Sequence, residues 1–337
     1  NTLAGFQSQF YFLLLFGVLS IRWLNVAPPL GATWWLGYMM LIASFFSVAS
    51  GFLASLAVVA CYLVQMGPEQ RLEKRKNIGI ALLLGYAALA YWLTPVVENH
   101  APLQATGIHD FAASLFKALA FPFNAQPVMV FVTQGPSIGL LWLIVSTNRN
   151  TQKNSPPWFL IGATLWIWLN AAATAYGRGA GGAGPASRYV DTLFFGLLLN
   201  FAALIYLYPR CRGRWIKAAM LGWLAVLLAG LLGTYGNTTH RVIQNEARLC
   251  RIQEANVKQF LSDFDRTRME ELPNYALPYP AADRLEDLLE NETIRAFLPT
   301  PLRSSLRASH TNNWFFEVDG LSPVTPKRMH EKVWGSH

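Results

Sequence analysis

Charge is scarce in this chain. Only 14% of its 337 residues are Asp, Glu, Lys or Arg, against about a quarter in an ordinary soluble domain, which excludes a water-solvated surface over the whole length. The scarcity is uneven. Residues 1–236 hold 14 Lys/Arg against 5 Asp/Glu, and residues 237–337 hold 13 against 14. The formal net charge of +8 therefore belongs to the apolar part. That argues against nucleic acid as a partner and for a membrane, where basic residues are sorted by side. Cysteine is scarce as well: Cys61, Cys211 and Cys250 are an odd set without a disulfide framework. P-loop, nucleophile-elbow, HExxH and CxxC motifs are absent. "GRGAGGAG" (177–184) has GxGxxG-like spacing but follows an apolar run rather than a strand, so it fails the context of a dinucleotide site. No basic region precedes the first apolar run and Asn1 is not an initiator, so the chain reads as a piece of a longer protein.

What is present is a series of apolar runs. Crossing the hydrocarbon core as helix takes about 20 apolar residues. Eight stretches qualify or nearly do: 10–24, 34–49, 50–65, 78–96, 128–146, 158–177, 192–208 and 218–235. Residues 34–65 read either as a tight helical pair or as one long tilted helix. The fold expected is an all-α integral membrane helical bundle of about 7–8 spans over residues 1–236. A small extramembrane module of mixed or mainly helical structure follows over 237–337.

The connectors set orientation. Residues 71–76, 146–157 and 210–217 together hold ten Lys/Arg, whereas 97–127 and 178–191 hold three, Lys117, Arg178 and Arg188. The positive-inside rule makes the first set cytoplasmic and the second external. The expected location is a bacterial inner membrane, multi-pass, with the C-terminal module periplasmic. Trp34, Trp35, Tyr91, Trp92, Trp158, Tyr206, Tyr208 and Trp215 fall where spans meet water, as an interfacial belt does. Asn170 and Asn200 lie inside spans and need partners, which interhelical hydrogen bonds can supply. In the tail, Val242, Leu249, Ile252, Val257, Phe260, Leu261 and Phe264 share a helix face. "ELPNYALPYP" then forces extended chain, "AADRLEDLLEN" reads as a short acidic helix, and "NWFFEVDG" is weakly strand-like.

The external connectors carry the candidate sites. Arg178 and Arg188 run against the positive-inside bias, and arginine suits phosphate because its planar fork donates two parallel hydrogen bonds. The five glycines between 177 and 184 let backbone approach a ligand and turn N–H groups toward an anion. Asp191 is placed to orient Arg188, and Tyr189 to stack on or hydrogen-bond a ring. An exposed linker whose arginines meet lipid headgroups is the plain alternative. In 97–127, Glu98, His100, His109 and Asp110 are weak candidates for a divalent metal or for acid–base work, beside an amphipathic helix at 108–120 that suits the membrane surface. Gln7 and Gln9 sit at the outer edge of the first span, within reach of a sugar hydroxyl or of headgroups. No cofactor is evident.

At "NTLAGFQSQFYFLLLF", "SRYVDTLFFGLLL" and "LENETIRAFLPTPLR" the chain resembles bacterial polytopic glycosyltransferases of the GT-C type. The resemblance implies a lipid-phosphate-linked sugar donor at the outer face, a glycan or lipid acceptor, and membrane lipid as a partner. It casts Arg178 and Arg188 as donor-phosphate binders and sets Gln7, Gln9 and Tyr189 near sugar or acceptor. The pattern's acidic residue in a first external loop, which acts as base, is missing, so no catalytic residue is assigned. Two other classes fit the same features: a transporter or flippase of lipid-linked sugars, and a membrane anchor that presents the C-terminal module.

Overall fold

The computed structural model describes residues 8–65, 74–95, 98–123, 126–146, 156–186, 189–211, 213–237, 243–279, 281–299 and 302. They are mostly helical, with no strand among the described residues. The chain divides into two compact units, Asn1–Thr234 and Tyr235–His337.

The first unit is a membrane-embedded bundle. Its helices are α1 (Ser8–Val26), α2 (Ala32–Ser47), α3 (Leu53–Gln65), α4 (Lys74–Leu93), α5 (Ile108–Leu119), α6 (Val130–Thr133), α7 (Gly135–Ser146), α8 (Pro156–Arg178), α9 (Val190–Leu207) and α10 (Arg214–Asn237). Along α1 the buried residues Phe10, Leu13, Gly17, Ile21 and Leu24 recur every three or four positions, the spacing of one helical face. α8 is the hub, packed against α1, α3, α5, α7 and α9. Its Trp158, Trp166 and Ala163 are fully buried.

The span count is lower than the eight runs predict. Five helices are long and apolar enough to cross: Ser8–Val26, Lys74–Leu93, Pro157–Arg178, Val190–Leu207 and Arg214–Gly236. A sixth is assembled from Pro127–Thr133 and Gly135–Ser146, bent by 53°. Residues 34–65 form neither one long helix nor two full spans. Val48 is extended (φ −148°, ψ 135°) and a 3-10 turn follows over Ala49–Phe52, leaving apolar helices of 16 and 13 residues. At 1.5 Å per residue these reach about 24 and 20 Å, short of a core about 30 Å thick. The turn doubles back onto α2, and a Cβ on Gly51 would lie 2.3 Å from the Ser44 carbonyl carbon and oxygen.

Polar side chains tie the helices together inside the apolar interior. Trp34 Nε1 donates to the Tyr62 hydroxyl (3.0 Å), Tyr62 donates to the Leu24 carbonyl, and Tyr86 donates to the Leu41 carbonyl (3.0 Å). Trp34 and Trp158, expected in an interfacial belt, are instead core residues at 0% and 1% exposure. Trp35, Tyr91, Trp92, Tyr208 and Trp215 are exposed.

The second unit holds α11 (Ile243–Asp263), α12 (Arg266–Glu270), α13 (Ala282–Glu290) and α14 (Glu292–Phe297), around Val257, Phe260, Leu261, Met269, Leu277, Leu285 and Leu289. The strand-like 313–320 lies outside the described residues. Arg266 bridges Glu290 (2.6 Å) and Asp287 (3.2 Å) on the surface. Beside it Glu286 is 1% exposed, and neither of its oxygens has a hydrogen-bond partner. Burial first, then the negative charge of Glu270, pushes its carboxyl above the usual range.

Two outcomes follow from this packing. Gly51→Ala puts a methyl into α2 backbone that has no side chain to swing aside; it is expected to destabilise the bundle by about 1–3 kcal/mol. Gly85→Ala, whose Cβ meets open space, is the matched control; thermal unfolding in detergent reads both. In the second unit, a raised carboxyl pKa gives stability that is complete below the ordinary 4.5 and is lost as pH rises through the folded value. Amide protection across 257–289, corrected for intrinsic exchange, is expected to fall from pH 4.5 to 8 in the wild type and to stay flatter in Glu286→Gln.

Candidate functional site

A cleft opens at the end of the bundle where α1 and α9 begin and α8 finishes. It is a shallow, open cleft: the cavity proper measures about 30 Å³, and the space between its walls reaches about 380 Å³ only when the open solvent at its mouth is counted. Phe10 and Leu13 come from the first turns of α1, and Ser50 from the 3-10 turn after α2. Ala118 comes from α5, Asn170, Ala171 and Thr174 from the last turns of α8, Pro185 and Tyr189 from the glycine-rich connector, and Thr192 and Leu193 from α9. The rings of Phe10 and Tyr189 meet edge to face at 5.7 Å and 88°, joining α1 to the connector.

The connector is pinned, not loose. Asp110, in the first turn of α5, accepts from Thr106 Oγ1 (2.6 Å) and from the Gly181 N–H (3.3 Å). Two turns along, Lys117 Nζ donates to the Gly182 carbonyl (2.7 Å). The Thr106 hydroxyl, helped by the Gly181 N–H, holds the Asp110 carboxyl below the usual range. Gly182 has φ +68°, and a Cβ there would meet Ala113 Cβ at 3.1 Å. Here glycine serves a left-handed turn packed tightly on α5. Three N–H groups of this stretch are engaged internally: Gly181 on Asp110 (3.3 Å), Gly182 on the Gly179 carbonyl (2.9 Å) and Ala183 on the Ala180 carbonyl (3.3 Å).

The residues singled out in the sequence fall unevenly around the cleft. Tyr189 lines it. Arg178 ends α8, half-buried. Asp191, in the first turn of α9, is half-buried and faces the Tyr11 hydroxyl. Gln9 is exposed on the first turn of α1 and is not part of the lining. Gln7 and Arg188 lie outside the described residues. His109 is 94% exposed, with Nδ1 3.7 Å from Asp110 Oδ1. His100 belongs to the 3-10 turn Glu98–Leu103, and its side chain is outside the described residues. Among the described residues no three His, Cys, Asp or Glu side chains come together as a metal site.

A polar network missed in the sequence lies near the middle of α9. Asn200 donates to Gln134 Oε1 (3.2 Å) and to the Gly196 carbonyl (2.9 Å), while its Oδ1 accepts from the Ser137 N–H (3.1 Å). Trp168 Nε1 donates to Gln134 Oε1 (2.9 Å), and Gln134 Nε2 donates to the Leu119 carbonyl (2.9 Å). The signal was legible: "TQGPS" puts an amide, a glycine and a proline inside one apolar run, and the proline has no N–H to continue a helix. Asn200 is thus interhelical as expected. Asn170 is not; it donates to the Trp166 carbonyl of its own helix (2.9 Å) and borders the cleft.

No family model, curated protein or solved structure matches the chain.

The clamp predicts a local effect. Asp110→Ala is expected to speed hydrogen exchange at Gly181–Ala183 without altering the α8 interior. In the wild type the depressed carboxyl keeps the clamp intact above the ordinary 3.8 and releases it only as pH falls further. Exchange followed by mass spectrometry on the intact protein checks both.

Proposed function

We propose that the protein binds a lipid-phosphate-linked sugar at the outer end of its bundle, in the service of glycosyl transfer to a glycan or lipid acceptor. The observation that carries this is the cleft itself. Its walls join apolar side chains (Phe10, Leu13, Leu193) to hydroxyls and an amide (Ser50, Asn170, Thr174, Thr192), matching a ligand with one greasy and one polar part. The resemblance to GT-C-type enzymes points the same way. So does charge sorting, because the cleft gathers the segments that the lysines and arginines assign to the outside of a bacterial inner membrane. The C-terminal module is periplasmic on this reading.

Arg178, with Arg188 from the same connector, neutralises the phosphate as charge develops on the departing group. Deprotonating an acceptor hydroxyl takes a carboxylate, and among the described residues none lining the cleft carries one. The role proposed for this chain is accordingly donor binding and stabilisation of the leaving phosphate.

One observation favours transport of a lipid-linked sugar instead. The break between α6 and α7 resembles the discontinuous helices of transporters. One of its freed groups, the Ser137 N–H, is however taken up by Asn200 Oδ1, and Gln134 of the break donates to the Leu119 carbonyl at the end of α5, which is structural service.

Farnesyl phosphate binding to the detergent-purified protein tests the proposal. Arg178→Ala and Arg188→Ala are each expected to weaken it by about 1.5–3 kcal/mol, the loss of a charged hydrogen bond. Equal affinity in wild type and both variants moves the phosphate away from this connector and sinks the assignment.

A further inference from the structure

Several hydroxyls in the helices of this bundle bond back to their own helix. Ser20, Ser47, Ser55, Thr94 and Ser146 each donate to a carbonyl three or four residues earlier, at 2.7–3.2 Å. That is the usual resting place of a hydroxyl in an apolar helix. Ser44, buried in α2 with no partner for its Oγ, does not bond back, and neither do Ser50, Thr174 and Thr192. Among the described residues they make no hydrogen bond to protein, and all three line the one cleft. Asn170 joins them there with one amide hydrogen committed to the Trp166 carbonyl. These four side chains come from the turn after α2, from α8 and from α9. Their convergence is a property of the folded bundle, and no single helix supplies it.

Among the described residues the lining contains no Asp, Glu, Lys, Arg or His. A buried ionised group without a partner is strongly disfavoured, whereas unpaired hydroxyls and an amide reward a ligand with many neutral donors and acceptors. A polar site also rejects an analogue that leaves its buried groups unpaired. The Phe10–Tyr189 pair gives the same space an aromatic wall, suited to the C–H face of a sugar ring.

Building on the donor-binding reading above, we infer that the cleft is the sugar subsite and selects an uncharged sugar, with Ser50, Asn170, Thr174 and Thr192 reading its hydroxyls. The phosphate stays at the rim with Arg178. Thr174 and Thr192 set specificity; neither takes part in the chemistry.

The test uses the full chain in nanodiscs and three probes: farnesyl phosphate, farnesyl-phosphoglucose and farnesyl-phosphoglucuronate. The neutral sugar is expected to tighten binding at least tenfold over farnesyl phosphate, and the uronate to lose that gain. Thr174→Val and Thr192→Val keep the shape and remove the hydroxyl. Each is expected to weaken farnesyl-phosphoglucose about five- to tenfold and to leave farnesyl phosphate unchanged, which also shows that the variants fold. Equal affinity for all three probes overturns the sugar subsite while leaving the lipid-phosphate reading in place. Failure of farnesyl phosphate and both sugar probes to bind the wild type overturns both. Phosphatidylglycerol as competitor separates a sugar from an ordinary polyol headgroup; displacement at equal potency assigns the hydroxyls to bulk lipid and overturns the inference.

Discussion

An apolar bundle has no water to spare for its backbone, so every interruption of a helix must find its hydrogen bonds within the protein. The connection between α5 and α7 shows how far this constraint reaches. The Leu119 carbonyl at the end of α5 accepts from both Thr133 and Gln134. The Ser137 N–H at the start of α7 is taken by Asn200 of α9. From α10, Trp223 donates to the Val132 carbonyl and Thr234 to the Pro122 carbonyl. Side chains from two other helices, an acceptor from α9 and donors from α10, thereby hold one break. Ala118 of α5 is in turn a wall of the cleft. The shape of the candidate site descends from the need to satisfy a handful of main-chain groups some residues away.

The glycine-rich connector obeys the same rule with different means. Its composition invites the picture of a pliable loop offering N–H groups to an anion. In the fold those N–H groups are occupied, and α5 grips the loop by opposite charges: Asp110 on an N–H, Lys117 two turns later on a carbonyl. Each charge meets the backbone pole it complements. Lys117, a cation in a connector that the positive-inside count makes external, thus has a local partner. On the proposed reading, phosphate recognition at this end of the bundle would fall mainly to side chains, with the pinned turn as their support.

Much of this was readable beforehand and the unread part has definite causes. Long uninterrupted apolar runs became α1, α4, α8, α9 and α10 because nothing within them competes with helix. The tail's acidic segment became α13, its leucines on one face. The run 34–65 misled because Val48 and Ser50 are ordinary residues in an apolar span. Only the close approach of Gly51 to Ser44, a tertiary fact, shows why the chain turns there. Trp34 and Trp158 were placed at the interface by residue type, whereas the hydrogen bond from Trp34 to Tyr62 satisfies the indole inside the core, where such a group needs a partner. Gln134 was overlooked because one amide hardly lowers the hydropathy of a long window. In the site, Tyr189 could be anticipated from its place beside the arginines. Ser50, Thr174 and Thr192 could not, since three hydroxyls 124 and 18 residues apart share no motif and meet only when α2, α8 and α9 pack.

That separation bears on how such a site divides its work. Charge near the membrane surface acts over about a Debye length, roughly 8 Å at physiological ionic strength, and attracts any phosphate that approaches. On the donor-binding reading proposed above, arginines would supply capture, indifferently to what the phosphate carries. Discrimination needs groups that act at contact distance in a space where water is short, because only there does an unpaired hydroxyl carry a penalty large enough to sort ligands. Among the described residues the cleft's polar groups are uncharged and stand beside Phe10, Leu13 and Leu193; on the same reading, that arrangement would put recognition behind a charge-driven attraction.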